Sequence, residues 1–364
     1  MSLIRNSGIV VAGAFIANVL AYVFNIYTAR LLGPSEYGSL GSLLALFYLA
    51  SIIYGPVLSV VTKEVAFLNS KNENTVLSQF FNSIRKEVFI LLSIILITII
   101  SCSGLLSKYL KIQNLLPIII TAFLIMLSGL LQFNQSVLSA LKQYTIISKS
   151  KIIEAFIRVS IACILLYFGA GLNGVLISFG LAYLFVLLWT QKFIPQNLIN
   201  KNEKNYKLNR ADIYFMGIKF FLASLFFQIS INISSIYIQH YYSSTVNGYW
   251  TAGMNVSRIT LLFSDGVNQV LYPELVGEVD SKRRKKLIKI AMMIILLISG
   301  SSAAMCWIMP DFIINLIYGS KYINATEFLK WQSILMIMIS LIQLYFTVYF
   351  SKTNKIESIK ETEI

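Results

Sequence analysis

Long apolar runs alternate with short polar breaks along almost the whole chain. They lie near residues 9–29, 39–61, 88–106, 115–139, 153–170, 175–194, 214–238, 248–272, 289–309 and 331–350. Each is roughly 20 residues long, the length a helix rising ~1.5 Å per residue needs to cross ~30 Å of hydrocarbon. The pattern therefore predicts about ten transmembrane helices. The layout also repeats: Tyr27 to Gly38 and Tyr237 to Gly248 stand 210 positions apart, and the register continues to Glu64 and Glu274. Between Ile26 and Ala66, six positions are identical to their partners (Ile26, Tyr27, Gly38, Val57, Val60 and Glu64). The ungapped match in hydropathy, turn and charged end weighs more than the identities. The offset spans six runs, an even number, so both copies enter the membrane in one orientation. That is a parallel repeat about an axis along the membrane normal, an arrangement found in transporters.

The first copy predicts a six-helix lobe over residues 1–194, followed by a polar, Asn- and Lys-rich cytoplasmic linker at 195–212. The second copy is expected over 213–350 with four helices, then a charged cytoplasmic tail at 351–364. Position 364 corresponds to Glu154, where the fifth run opens, so counterparts of the fifth and sixth runs are missing from the second lobe.

Composition agrees with a membrane chain: 57% hydrophobic, 13% charged, mean hydropathy +0.72. A soluble domain carries about 25% charged residues. The first run follows a short N-terminus with one Arg and reads as an uncleaved signal anchor. Of the 30 Lys and Arg, 22 fall on the side of the N-terminus and alternate loops, five on the other, and Arg158, Lys219 and Arg258 within runs. The positive-inside rule then places both termini in the cytoplasm, and the net charge of +14 needs no nucleic-acid partner. The run Lys282 to Lys286 reads as a topology anchor against anionic headgroups. Cys102, Cys163 and Cys306 lie in apolar runs and read as small buried hydrophobes, while His240 stands alone, without the cluster a metal site needs. No phosphate-binding loop of the GxxxxGK type occurs, so ATP is not the expected energy source.

Ala29-Arg-Leu-Leu-Gly-Pro-Ser-Glu-Tyr-Gly38 resembles the R-x-L-G-x-x-x-Y-G turn after the first helix of bacterial polysaccharide flippases. These belong to the multidrug/oligosaccharidyl-lipid/polysaccharide exporter superfamily. Asn247-Gly-Tyr-Trp-Thr-Ala252 is similar to the opening of their eighth helix, Leu271-Tyr-Pro-Glu274 to its exit, and Leu316-Ile-Tyr-Gly-Ser-Lys-Tyr322 to the loop before the tenth. The motifs occur in order across nearly the whole chain. The resemblance implies two helical lobes around a central cavity, and movement of undecaprenyl-pyrophosphate-linked sugar units across the bacterial inner membrane. It also implies alternating access, commonly driven by ion gradients. Family members usually carry twelve spans, two more than the pattern predicts here.

Polar residues inside the runs fall on single helical faces, as a wet path requires. The seventh run offers Ser224, Gln228, Asn232, Ser235 and Gln239; the eighth Thr251, Asn255, Arg258, Asp265 and Gln269. The fourth offers Ser128, Gln132, Gln135 and Ser139, continued by Lys142, and the first Asn18, Tyr22 and Asn25. Interhelical hydrogen bonding would also align polar residues. Arg258 stands about 15 Å into its run, near the midplane, where a guanidinium could grip a pyrophosphate in a bidentate fork. Asp265, on the same face but ~10.5 Å along the axis, is too far for a simple pair and is a candidate for proton relay or Na⁺ coupling. Glu154 and Arg158, four apart, read as a local ion pair.

The sequence thus predicts an all-α polytopic membrane protein that flips lipid-linked oligosaccharides for a surface polymer such as O-antigen, lipopolysaccharide or capsule. Candidate substrate contacts are Arg258, Asn255, Gln228, Asn232, Gln132, Gln135 and Asn25, with Asp265 for ion coupling. No metal or organic cofactor is expected, only an H⁺ or Na⁺ gradient. The expected partners are the lipid-linked substrate, the bilayer and other polysaccharide-assembly proteins. The alternatives are a drug/cation antiporter of the same superfamily, a truncated inactive flippase and a membrane polymerase. A midplane Arg in place of an acid argues against the antiporter. Short outward loops without clustered acids, histidines or nucleophiles argue against the polymerase.

Overall fold

The computed structural model describes residues 2–71, 73–199, 210–277 and 280–361. They form helices and no strand. The helices are α1 (Ser2–Ser70), α2 (Asn74–Ser101), α3 (Ser103–Leu110), α4 (Leu116–Ala140), α5 (Tyr144–Tyr167), α6 (Gly171–Gln191) and α7 (Gln196–Ile199). After them come α8 (Arg210–Tyr241), α9 (Ser244–Ser257), α10 (Ile259–Gly277), α11 (Ser281–Ile308), α12 (Pro310–Tyr318) and α13 (Ala325–Glu361). Among the described residues, five helices are long and apolar enough to cross a bilayer; a sixth span arises if α2 and α3, bent by 60°, are one. The chain is a multi-pass membrane protein.

The first two apolar runs are joined within α1, whose 69 residues at ~1.5 Å rise would overshoot a ~30 Å core several times. Gly33 breaks it, at φ 72 and ψ 172, a conformation closed to side chains with a Cβ. Pro34 then starts the second arm, where its fixed φ suits a first helical turn.

Several helices run past the apolar segments that revealed them. α2 starts at Asn74 rather than near residue 88, and α11 at Ser281, with Asp280 accepting from the Lys282 N–H at 2.9 Å as its N-cap. Hydropathy finds the part of a helix that lies in hydrocarbon, whereas backbone hydrogen bonding continues as long as propensity and capping allow. The eighth run, expected as one helix, is two. The turn tightens at Arg258, whose carbonyl accepts from the Leu261 N–H at 3.0 Å, an i to i+3 bond between α9 and α10.

Contacts divide the chain into two compact units, Met1–Gly248 and Tyr249–Ile364. The division falls well beyond the polar segment at 195–212 and groups the seventh run with the first six, because α8 packs against α1. Residues 200–209 of that segment, like the side chains of Lys219, Ser224, Gln269 and Lys352 and most of the tail, lie outside the described residues. In the first unit, α1 packs on α4, α5, α6 and α8, and α4 packs on α2 and α6. In the second, Leu271, Leu275, Ala291, Ile295 and Leu344 form a core between α10, α11 and α13.

The repeat-related glycines share one crossing inside the first unit. A Cβ on Gly38 would collide with the Ser244 carbonyl, and a Cβ on Gly248 with the Pro34 carbonyl. The Asn247 amide donates to the Gly38 carbonyl at 2.7 Å. Beyond opening the second helix of each repeat, these glycines let two backbones touch.

Candidate functional site

A polar recess of the first unit grows from α4. Gln132 Nε2 donates to Ser128 Oγ at 2.9 Å and to the Tyr54 hydroxyl at 3.3 Å. One turn on, Gln135 Nε2 donates to Ser150 Oγ of α5 at 3.1 Å. Both glutamines line a cavity of about 330 Å³ with Ser59 and Thr62 of α1, Ser139 of α4 and Lys151 of α5. Amide and hydroxyl groups beside one ammonium are the chemistry that receives a hydroxyl-rich or anionic ligand. Asn25, half-buried on the first arm of α1, is not among the residues lining this cavity. Asn18 is exposed.

The stripe on α8 divides in two. Asn232, 4% exposed, donates from Nδ2 to Gln228 Oε1 at 2.7 Å, so these two candidates hold each other. Further along, Ser235 donates to Asn247 Oδ1 at 2.9 Å, and Gln239 donates to the Leu110 carbonyl and Ser244 Oγ, both at 2.8 Å. Asn247 donates in turn to Gln239 Oε1 at 3.1 Å. Gln239 and Asn247 are wholly buried there, so this end of the stripe serves packing. His240 stacks on Tyr109, with ring centroids 3.9 Å apart.

In the second unit, Asn255 and Arg258 sit half-buried where α9 meets α10. Asp265 lies two turns on, within electrostatic reach of the side chain of Gln343 from α13. In the same unit, buried side-chain oxygens of Thr251, Ser257, Asn268, Ser299 and Ser340 have no hydrogen-bond partner among the described residues. A dry interior would lose about 1–3 kcal/mol for each, so this arrangement calls for water or a polar ligand inside the unit.

Glu154 and Arg158 form the expected ion pair, at 3.3 Å, with side chains only 19% and 12% exposed. The guanidinium also lies over the rings of Phe24 and Phe179, 5.1 and 4.8 Å from their centroids.

Tyr54, Ser59, Thr62, Lys151 and Gln343 escaped the reading of the sequence. A signal existed for two of them: Gly55, Ser59 and Thr62 follow at spacings of four and three, one small and polar face of a helix. Nothing local marks Gln343 as the partner of an aspartate on another helix.

Residues 3–277 match the model of a family described as polysaccharide biosynthesis proteins. The fold is that of MOP superfamily transporters. An inward-facing multidrug resistance MATE family transporter of that superfamily superposes with a TM-score of 0.72 at 12% identity, over 92% of this chain and 82% of the other. The lipid II flippase MurJ, in an inward closed conformation, gives 0.70 at 16% identity, over 96% and 76%. A MOP superfamily transporter from Pyrococcus furiosus gives 0.64 at 12%, over 96% and 83%. No curated protein matches the sequence.

Proposed function

Since the chain belongs to the polysaccharide biosynthesis protein family, we propose that it flips oligosaccharide repeat units linked to undecaprenyl pyrophosphate across the bacterial inner membrane. The product feeds a surface polymer such as O-antigen or capsule, with other assembly proteins acting before and after it. The observation that carries this reading is the polar recess of about 330 Å³ around Gln132, Gln135 and Lys151 among largely apolar helices. A saccharide offers many hydroxyls and needs amides and hydroxyls to replace its water. Arg258 supplies the second element of the reading. A guanidinium at a tightened turn between α9 and α10 suits a pyrophosphate, and its rigid fork binds two oxygens at once. Asn255 in the second unit and Gln228, Asn232 and Asn25 in the first are the further substrate contacts of this reading, and Asp265 couples movement to an H⁺ or Na⁺ gradient. Both termini face the cytoplasm in this reading, as the distribution of Lys and Arg favours.

The test is complementation of a flippase-deficient bacterium with the full chain and with Arg258→Ala, scored as surface polysaccharide at equal membrane levels across several acceptor sugars. The parent restores the polymer, and the variant yields at least tenfold less, the factor a lost charge-assisted hydrogen bond of about 1.5–3 kcal/mol implies. An inserted parent that restores nothing on any acceptor overturns the flippase reading. A variant as active as the parent removes Arg258 from the path.

A further inference from the structure

A second recess lies in the first unit, over α4 where it packs between α2 and α6, and its chemistry differs from that of the polar cavity. It holds about 510 Å³, within the range of sites that take small molecules. Phe89 and Ile90 of α2, Leu130 and Phe133 of α4 and Leu187 of α6 make it apolar. Phe89 and Ile90 are 50% and 57% exposed, so the recess opens to the outside of the helices, which in a membrane protein is hydrocarbon. One helical turn before them on the same faces stand Arg85 and Lys86 at its mouth. Both are exposed, and neither makes a hydrogen bond or ion pair with any described residue. Below them the chain is fastened: Ser78 Oγ and Asn82 Nδ2 donate to the Leu198 carbonyl of α7 at 3.4 and 3.0 Å.

We infer that this groove binds one anionic glycerophospholipid, its phosphate between Arg85 and Lys86 and an acyl chain along the phenylalanines. Two uncommitted cations at the rim of an apolar trough are complementary to a lipid that is negative at one end and hydrocarbon at the other. The lining also decides against the saccharide-bearing lipid. Of its uncharged polar side chains, Asn134 already donates to the Leu187 carbonyl at 3.4 Å and Thr190 Oγ1 at 3.3 Å, which leaves Gln191 as the one uncharged group to greet a sugar. The inference does not depend on what the protein transports.

The experiment uses delipidated full-length protein in neutral detergent, with lipid occupancy read by native mass spectrometry. Phosphatidylglycerol, phosphatidylcholine with the same chains, undecaprenyl phosphate and inorganic phosphate are the probes. Phosphatidylglycerol should bind more tightly than phosphatidylcholine. Arg85→Gln with Lys86→Gln should weaken it about 25-fold, about fivefold per cation near a membrane surface. Lys108→Gln with Lys321→Gln removes equal charge at exposed positions elsewhere and should leave it unchanged. Ile90→Trp keeps both cations, fills the trough and should also weaken binding, which keeps the proposal testable if the charge variant does not fold. Equal affinity for the two phospholipids, indifference to either groove variant, or displacement by equimolar inorganic phosphate would overturn the proposal. A preference for undecaprenyl phosphate would overturn it too and would make the groove part of the transport path.

Discussion

Arg158 shows how a charge is kept inside an apolar bundle. Its guanidinium meets Glu154 on its own helix and two phenylalanine faces from α1 and α6, so a flat, weakly hydrated cation suits the position and an ammonium would not. Removing it would strand Glu154, and breaking a buried pair from one side costs about 3–5 kcal/mol. Arg158→Ala should therefore unfold well below the parent in detergent, at the lower end of that range because both side chains keep some exposure. Glu154→Gln with Arg158→Met should recover most of the loss. A single variant that melts with the parent would show that the pair holds nothing. The pair itself was legible, since a spacing of four on a helix brings two side chains together. The rings were not, because Phe24 and Phe179 come from distant segments and no local rule assigns them a cation. The same limit applies to the polar recess: Gln132 and Gln135 announce a face of α4, but only packing reveals that Lys151 and Thr62 stand opposite.

At the level of elements, the apolar runs located the helices and misjudged their ends. α2, α11 and α13 all extend beyond their apolar stretches into charged sequence. The tightening at Arg258 was invisible to periodicity, which assumes ~100° per residue throughout. The motif Leu316 to Tyr322 also acquires a physical meaning. Tyr318 ends α12 and packs on Tyr322, ring centroids 5.4 Å apart, and Tyr322 is wholly buried against Tyr249. At the crossing of α1 with α9, space is the governing quantity. Gly38→Ala and Gly248→Ala each place a methyl against backbone, which cannot swing aside, so each should cost about 1–3 kcal/mol by overpacking. Thermal unfolding in detergent measures both, and two variants as stable as the parent would mean the crossing is not close in the membrane.

For the molecule as a whole, the all-helical membrane architecture and the repeat were readable from one sequence, and the grouping of α8 with the first six spans was not. Repeat boundaries follow ancestry of sequence, whereas compactness follows which faces meet. Whether the second unit is wet inside is also a question for the whole molecule. Its unpartnered hydroxyls predict that it is. In a background with Cys102, Cys163 and Cys306 replaced, Ser340→Cys should react with a small water-soluble thiol reagent, because only a hydrated thiol forms the reactive thiolate. Ile295→Cys, in the apolar core of the same unit, should stay silent. Equal silence at both positions would show that the interior is dry.

The crossing of the two glycines carries one more consequence. Pro34 and Ser244 are 210 positions apart, as are Gly38 and Gly248, and each glycine presses on the counterpart of the residue that presses on its own twin. That reciprocity is the signature of an isologous contact, the kind two identical subunits make across a two-fold axis. A half-length forebear would have made this contact as a homodimer, and fusing two copies of its gene would have fixed the partner in place. Fusion then frees each half to diverge while the contact itself stays in register.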